Sequence, residues 1–158
     1  IIGTLGKSLA SMGSYVLSDS STIIDFLINR AGEFIYSTFL SPSQVGSAEA
    51  ALLVLQSSQN SRNYLQSVSA NFRGMIGLAE QELMTPSSPI VPVLIGDPVK
   101  TLELRNSLLQ QGIMVGAVRP PTVPPHTSRL RISLHTNVTE DALEKLGVIL
   151  KPWIISQT

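Results

Sequence analysis

Residues 129–135 read Arg-Leu-Arg-Ile-Ser-Leu-His, a strict alternation of polar and apolar side chains. Successive side chains on a strand point to opposite faces. Leu130, Ile132 and Leu134 therefore share one face, and Arg129, Arg131, Ser133 and His135 the other. A strand with one apolar face needs a second layer to cover it. The flanking sequence supplies helices. Val99, Leu102, Leu104, Leu108 and Leu109 recur at helical spacing within 98–111, and Gly112 stops the run. Thr139 is placed to cap a further helix carrying Leu143, Leu146 and Leu150. Further strands are expected at 90–95, where Pro92 hints at an edge position, and at 113–118. The pattern is that of an α/β chain.

The first third reads differently. Ile1 and Ile2 look like the end of a buried strand running into a turn, Gly3-Thr4-Leu5-Gly6-Lys7. This abrupt apolar start leads us to expect a fragment of a longer chain. Tyr15-Val16-Leu17 is a second short strand. Ser20 or Ser21 is expected to cap a helix with the stripe Ile23, Ile24, Leu27 and Ile28, stopping at Gly32. Phe34-Ile35-Tyr36 has the composition of a strand. Ser41-Pro42-Ser43 opens a helix that runs through Ala50, Ala51, Leu52, Leu53, Val54 and Leu55. That helix is apolar nearly all round, which predicts burial in a core or a subunit interface. The polar run Ser57-Ser58-Gln59-Asn60-Ser61 marks a boundary, dividing the chain into 1–58 and 59–158. The next helix carries Tyr64, Leu65, Val68, Phe72, Met75 and Ile76, and is expected to end near Leu83, before Thr85-Pro86.

Composition removes several function classes. Eleven basic residues balance eleven acidic ones, so there is no cationic excess for nucleic acid or an anionic membrane. Cysteine is absent, and two histidines cannot alone make a typical zinc site. No run of 18 apolar residues exists to form a spanning helix, and a cytoplasmic location is expected. Charged residues are only 14% of the chain, against about 25% in ordinary domains, so part of the surface is expected to be covered.

Three stretches invite chemistry. Gly6-Lys7-Ser8 fails as a phosphate loop, because that motif needs glycine where Ile1 stands. What remains is a lysine just past a tight glycine turn, among apolar and small residues. Desolvation makes a lysine a nucleophile or base, whereas a solvated lysine on a surface turn does nothing of the kind. Arg119-Pro120-Pro121-Thr122-Val123-Pro124-Pro125 is rigid and extended, and holds Arg119 and Thr122 in place better than it serves as a docking ligand. Arg129 and Arg131 are either a solvated sheet face or a receiver for a carboxylate, which guanidinium fits bidentately. His126 and His135 lack a third ligand and are not read as a metal pair.

Gly3-Thr4-Leu5-Gly6-Lys7-Ser8-Leu9, Phe34-Ile35-Tyr36-Ser37-Thr38, and the run from Arg119 through His126-Thr127-Ser128-Arg129-Leu130-Arg131 to Leu134 occur in an order that resembles the α-oxoamine synthases. These enzymes use pyridoxal phosphate on the fold shared with aspartate aminotransferase. The resemblance covers nearly the whole chain and corresponds to the C-terminal part of the family's longer chain. It implies the end of the large cofactor-binding domain, 1–58, followed by a small α/β C-terminal domain, 59–158. Lys7 is then the lysine that joins the cofactor covalently, and Thr4 helps hold the cofactor. Thr38, with Ser37, reaches the cofactor phosphate of the neighbouring subunit in a homodimer. Arg131 receives the amino-acid carboxylate, and Thr122 and Arg119 line the substrate site. The Arg119-Pro120-Pro121 run is most similar to the members of biotin synthesis that join L-alanine to a pimeloyl thioester, carried by coenzyme A or a carrier protein. Glycine with acetyl-CoA, and a non-catalytic remnant, are the alternatives. His126 stands where the family usually has glycine, Gly32-Glu33 where it often has Arg-Pro, and Val138 where a histidine is common. The family's ring-stacking aromatic residue and the aspartate under the pyridine nitrogen are absent from this sequence. An N-terminal part is therefore the expected partner, and this chain alone is expected to be inactive with apolar surface exposed.

Overall fold

A computed structural model describes residues 1–78 and 88–155. The chain forms two compact units, Ile1–Gln59 and Asn60–Thr158.

In the first unit, strands β1 (Ile2–Thr4) and β2 (Ser14–Val16) pair antiparallel, with Gly3 opposite Tyr15. Helix α1 (Ser21–Arg30) starts after Ser20, which has extended cap geometry but makes no side-chain cap bond. The expected strand at Phe34-Ile35-Tyr36 is instead helical. Ala31 ends α1, and Gly32–Ile35 forms a single further turn, α2. The N–H groups of Phe34 and Ile35 both find the Ala31 carbonyl at 3.0 Å. β-propensity reflects packing on a pleated surface, and among the described residues no strand lies beside these three, so local bonds win. Gly32 therefore opens a turn rather than stopping α1, which ends at Arg30.

Helix α3 (Pro42–Ser57) begins with a capping box at Ser41 and has proline in its first turn. Its expected burial is not found among the described residues: Ala48 is its one buried residue, and Leu53 and Val54 are 63% and 64% exposed. Among the described residues of this unit only Leu9 and Ala48 are buried hydrophobics, too few to enclose a helix that is apolar nearly all round. The polar run 57–61 is mostly helical. The break falls at Ser58 alone, and α4 (Gln59–Met75) starts at once.

The second unit closes around its own core. Helix α4 ends well before Leu83, which itself lies outside the described residues. Gly77 at φ +79° lets the Leu78 N–H turn back to the Arg73 carbonyl at 2.8 Å, a left-handed helix end. Strands β3 (Ile90–Gly96), β4 (Gly116–Val118) and β5 (Ser128–Ser133) form an antiparallel sheet in the order β3-β5-β4. Pro92 thus lies on an edge strand, as its missing N–H requires. The strand expected over 113–118 is shorter than read. Ile113 N–H bonds the Leu108 carbonyl and finishes the preceding helix, so pairing begins at Gly116.

Helix α5 (Pro98–Gln110) is capped by Asp97, whose Oδ1 accepts from the N–H groups of Val99 and Lys100 at 2.8 Å. Helix α6 (Glu140–Ile155) starts after Thr139, whose hydroxyl accepts from the Ala142 N–H. Burial follows the alternation of residues 129–134. Leu130 and Ile132 are buried with Val91 and Val93 of β3, while Arg131 and Ser133 are exposed. Phe72, Leu108, Leu146 and Leu150 complete the cluster from three helices. Val99 and Leu109 lie off that face and stay exposed. Arg73 is 7% exposed and fastens α4 to the start of β3, its Nη2 donating to the carbonyls of Ser88 and Ile90. Burial pushes its pKa below the ordinary arginine value. Among the described residues, no helix is long and apolar enough to cross a membrane.

Candidate active site

The turn after β1 is built from its own backbone. Leu5 N–H bonds the Gly13 carbonyl at 2.9 Å, Ser11 N–H the Leu5 carbonyl at 3.0 Å, and Ala10 N–H the Lys7 carbonyl at 2.9 Å. The Thr4 hydroxyl accepts from Gly6 N–H at 3.2 Å and reaches the Gly13 carbonyl at 3.4 Å. Thr4 therefore shapes the turn that displays Lys7. Lys7 is exposed, and among the described residues its amine has no hydrogen bond or ion pair.

Ser37 and Thr38 follow α2. Both line an open, mainly apolar cavity of about 610 Å³ with Ser14, Tyr15, Leu27, Phe34 and Leu40. The Glu33 side also borders it. Gly13 forms part of the wall at φ +97°, and a Cβ there would lie 2.7 Å from Cδ1 of Leu40. Leu40 thus occupies the space that a side chain at 13 would need.

The second unit carries the other candidates. Thr122 N–H bonds the Arg119 carbonyl at 3.0 Å, so these two residues share one turn after β4. The Pro120–Pro121 peptide within it is cis. The hydroxyl of Thr127 donates to the Pro124 carbonyl at 2.7 Å, and Arg129 Nε donates to the Thr127 carbonyl at 2.9 Å. This separates two arginines that the alternation made equivalent. Arg129 is half-buried and tied to its own loop, whereas Arg131 is exposed with no hydrogen bond or ion pair among the described residues. Arg131 sits on the central strand between Pro92 and Gly116, and glycine at 116 leaves room beside its stem. His126 adopts φ +63°, a conformation suited to the glycine that the resemblance places there.

The structure thus joins Thr4 to Lys7 in one turn, Ser37 to Thr38 in one cavity, and Arg119 to Thr122 in another turn. Sequence reasoning missed Gln44, which links the Lys7 loop to the start of α3. Its signal was legible, because Ser41-x-x-Gln44 is a capping-box spacing. Tyr15 and Glu33 in the cavity carry no local signal. Among the described residues no group of three or more His, Asp or Glu side chains could hold a metal.

Aminotransferase class I and II is the family whose profile matches, over residues 1–148, and the chain belongs to it. The family is pyridoxal-phosphate-dependent. The chain is similar to 8-amino-7-oxononanoate synthase of Thioalkalivibrio sulfidiphilus, 38% identical over 146 residues, covering 92% of this chain and 37% of that protein. Its identity to 8-amino-7-oxononanoate synthase of Cellvibrio japonicus is 39% over 150 residues, covering 95% and 37%. The crystal structure of 8-amino-7-oxononanoate synthase from Francisella tularensis superposes with a TM-score of 0.82 at 27% identity, covering 99% of this chain and 45% of that one. Serine palmitoyltransferase of Sphingomonas wittichii has a TM-score of 0.83 at 22% identity, covering 98% and 39%, a likeness of fold. The chain spans under half the length of these relatives.

The chemistry of these residues is compatible with the cofactor. A free primary amine can join an aldehyde, and the hydroxyls of Thr4, Ser37 and Thr38 suit its polar substituents.

Proposed function

We propose that this chain is the C-terminal portion of an enzyme that condenses L-alanine with a pimeloyl thioester. The products are 8-amino-7-oxononanoate, CO₂ and the free thiol of coenzyme A or a carrier protein. The reading makes the protein a decarboxylating acyltransferase of biotin synthesis. Its main support is the similarity to synthases of that name along nearly the whole chain, with Lys7 displayed free on its turn. In this reading, 1–58 is the end of the large domain and 59–158 the small one. An N-terminal part completes the fold, and the enzyme works as a cytoplasmic homodimer.

Pyridoxal phosphate, when bound, withdraws electrons from the amino acid's Cα and so weakens the bonds there. Lys7 would hold the cofactor through its Nζ. Once free, the same amine would serve as the base for the Cα proton of alanine. Thr4 would steady the cofactor beside that lysine. Thr38, with Ser37, would donate to the phosphate in the neighbouring subunit's site. Arg131 would take the alanine carboxylate in a bidentate pair, which fixes the orientation of the Cα bonds. Orientation of this kind can be worth several kcal/mol of barrier. Arg119 and Thr122 would line the acyl substrate's path.

The test uses the full-length protein. Borohydride reduction followed by peptide mapping should find the cofactor fixed on Lys7. Alanine with a pimeloyl thioester should release CO₂ and the amino-oxo acid, and Lys7→Ala should abolish both the label and the turnover. Preference for glycine with acetyl-CoA would move the protein to a sister activity. No label at Lys7 would remove the catalytic reading altogether.

A further inference from the structure

We infer that Gln44 is a positioning residue that ties the Lys7 loop to the segment carrying Ser37 and Thr38. The inference rests on the proposed roles of those residues, but its geometry does not.

Gln44 uses four groups at once. Its side-chain Oε1 accepts from Ser41 N–H at 3.1 Å, and its own N–H donates to the Ser41 hydroxyl at 3.4 Å. These two bonds fix the start of α3 immediately after the segment 37–40. Its main-chain carbonyl accepts from the Ser11 hydroxyl at 2.6 Å, and its Nε2 lies 3.1 Å from Met12 Sδ. Those two contacts reach back 33 and 32 residues to the far end of the Lys7 loop.

A further contact lies beside them. Leu40 fills the space over Gly13, and the Gly13 carbonyl accepts from Leu5 N–H and the Thr4 hydroxyl. The loop that presents Lys7 is thus anchored, through Ser11, Met12 and Gly13, to one short stretch, 40–44. Ser37 and Thr38 precede that stretch directly. Few side chains could replace Gln44. A primary amide carries both the acceptor that Ser41 needs and the donor that faces Met12. Glutamate keeps the acceptor and loses the donor, and alanine loses both.

The test uses the full-length protein, first without cofactor. Hydrogen exchange is followed in peptides covering 5–13 and 41–48. Gln44→Ala removes the Met12 contact and the Ser41 cap but leaves the main-chain carbonyl that Ser11 uses, so exchange should speed several-fold in 5–13 and about tenfold in 41–48. Ser11→Ala should do the same in 5–13 and leave 41–48 protected. Gln44→Glu keeps the cap and should affect 5–13 alone, which covers the case in which the alanine variant fails to fold. If 5–13 keeps its protection in both Gln44→Glu and Ser11→Ala, the tie does not exist and the inference falls.

The second measurement uses the loaded enzyme. The visible band of the lysine-bound cofactor should change its pH midpoint in Gln44→Glu and Ser11→Ala. Its kcat should fall, with the KM for the thioester unchanged. A residue that only capped α3 would leave the band where it is, and that result also overturns the positioning role. Failure of the catalytic reading looks different: borohydride leaves Lys7 unlabelled in the unmodified protein, while the exchange results stand.

Discussion

The two units draw on similar residues and treat them in opposite ways. In the second, apolar side chains fall on single faces, at a spacing of two on β3 and β5 and at helical spacing on α4, α5 and α6. They meet in one cluster with Phe72, Leu108, Leu130 and Leu150 fully buried. In the first, α3 spreads its apolar side chains around the helix without a single face, and Phe26, Phe39, Leu53 and Val54 stand more than 60% exposed. The difference teaches that apolar content alone does not make a core. Apolar groups contribute only when geometry removes them from water, at roughly 25 cal/mol per Å².

The largest expected effect follows from that contrast. Phe72→Ala should cost about 3–5 kcal/mol in urea unfolding of this chain, through lost burial and the cavity left behind. Leu53→Ala, already mostly in water, should stay within about 0.5 kcal/mol. The same Leu53→Ala change in the full-length protein sharpens the comparison. If α3 is covered in the complete protein, the cost of that change should rise toward core values. An equal cost in both would break the idea that α3 is covered.

Two glycines of the first unit provide a smaller contrast. Gly13 combines φ +97° with the Leu40 side chain in its Cβ direction, so Gly13→Ala should destabilise by about 1–3 kcal/mol. At Gly46, inside α3, a Cβ would meet no described atom within 4 Å beyond its chain neighbours and its own helix backbone. Gly46→Ala should stabilise by about 0.5–1 kcal/mol, because alanine loses less freedom in a helix. Thermal unfolding of both variants checks the pair, and destabilisation by Gly46→Ala would show that something packs there.

Much of the second unit was legible because its signals are local. The alternation at 129–134, the edge proline at 92, Gly112 and the Thr139 cap each state their role within a few residues. Errors arose where the deciding contact is distant or missing. Phe34-Ile35-Tyr36 has strand composition but, among the described residues, no strand to join, and α4 ends at Met75, with Gly77 turning the chain, although the apolar pattern of the sequence runs on to Leu83. The site divides in the same way. Lys7 on its turn and Arg131 on its strand face could be read directly. That Arg129 is occupied by Thr127 while Arg131 is free could not, since loop closure decides it. Nor could the union of Ser37 and Thr38 with Tyr15 in one cavity, which depends on how residues more than twenty apart fold together.

Helix caps compare the units at about 1 kcal/mol. Asp97 makes two cap bonds, and Asp97→Ala should cost about 1 kcal/mol. Ser20 holds the same position before α1 without a side-chain bond, so Ser20→Ala should change stability by no more than a few tenths. Equal losses in denaturant titrations would mean that the Ser20 hydroxyl finds a bond in solution.

The smallest effects concern two residues in the left-handed region. Ala10 in the Lys7 loop has φ +48°, and His126 in the second unit has φ +63°. A side chain there costs about 1–2 kcal/mol, and glycine removes that cost while adding about 0.5–1 kcal/mol of unfolded-state freedom. The balance is a gain of roughly half a kcal/mol for glycine at either site. Histidine tolerates the region better than alanine, which puts the gain at Ala10→Gly above that at His126→Gly. Both are measurable as small rises in Tm. The Lys7 loop has the weaker surroundings, so it is also where the ordering is most easily broken. If Ala10→Gly gains nothing, the loop leaves that conformation freely in this chain. The tie through Ser11 and Gln44 would then be too weak to hold it without the cofactor.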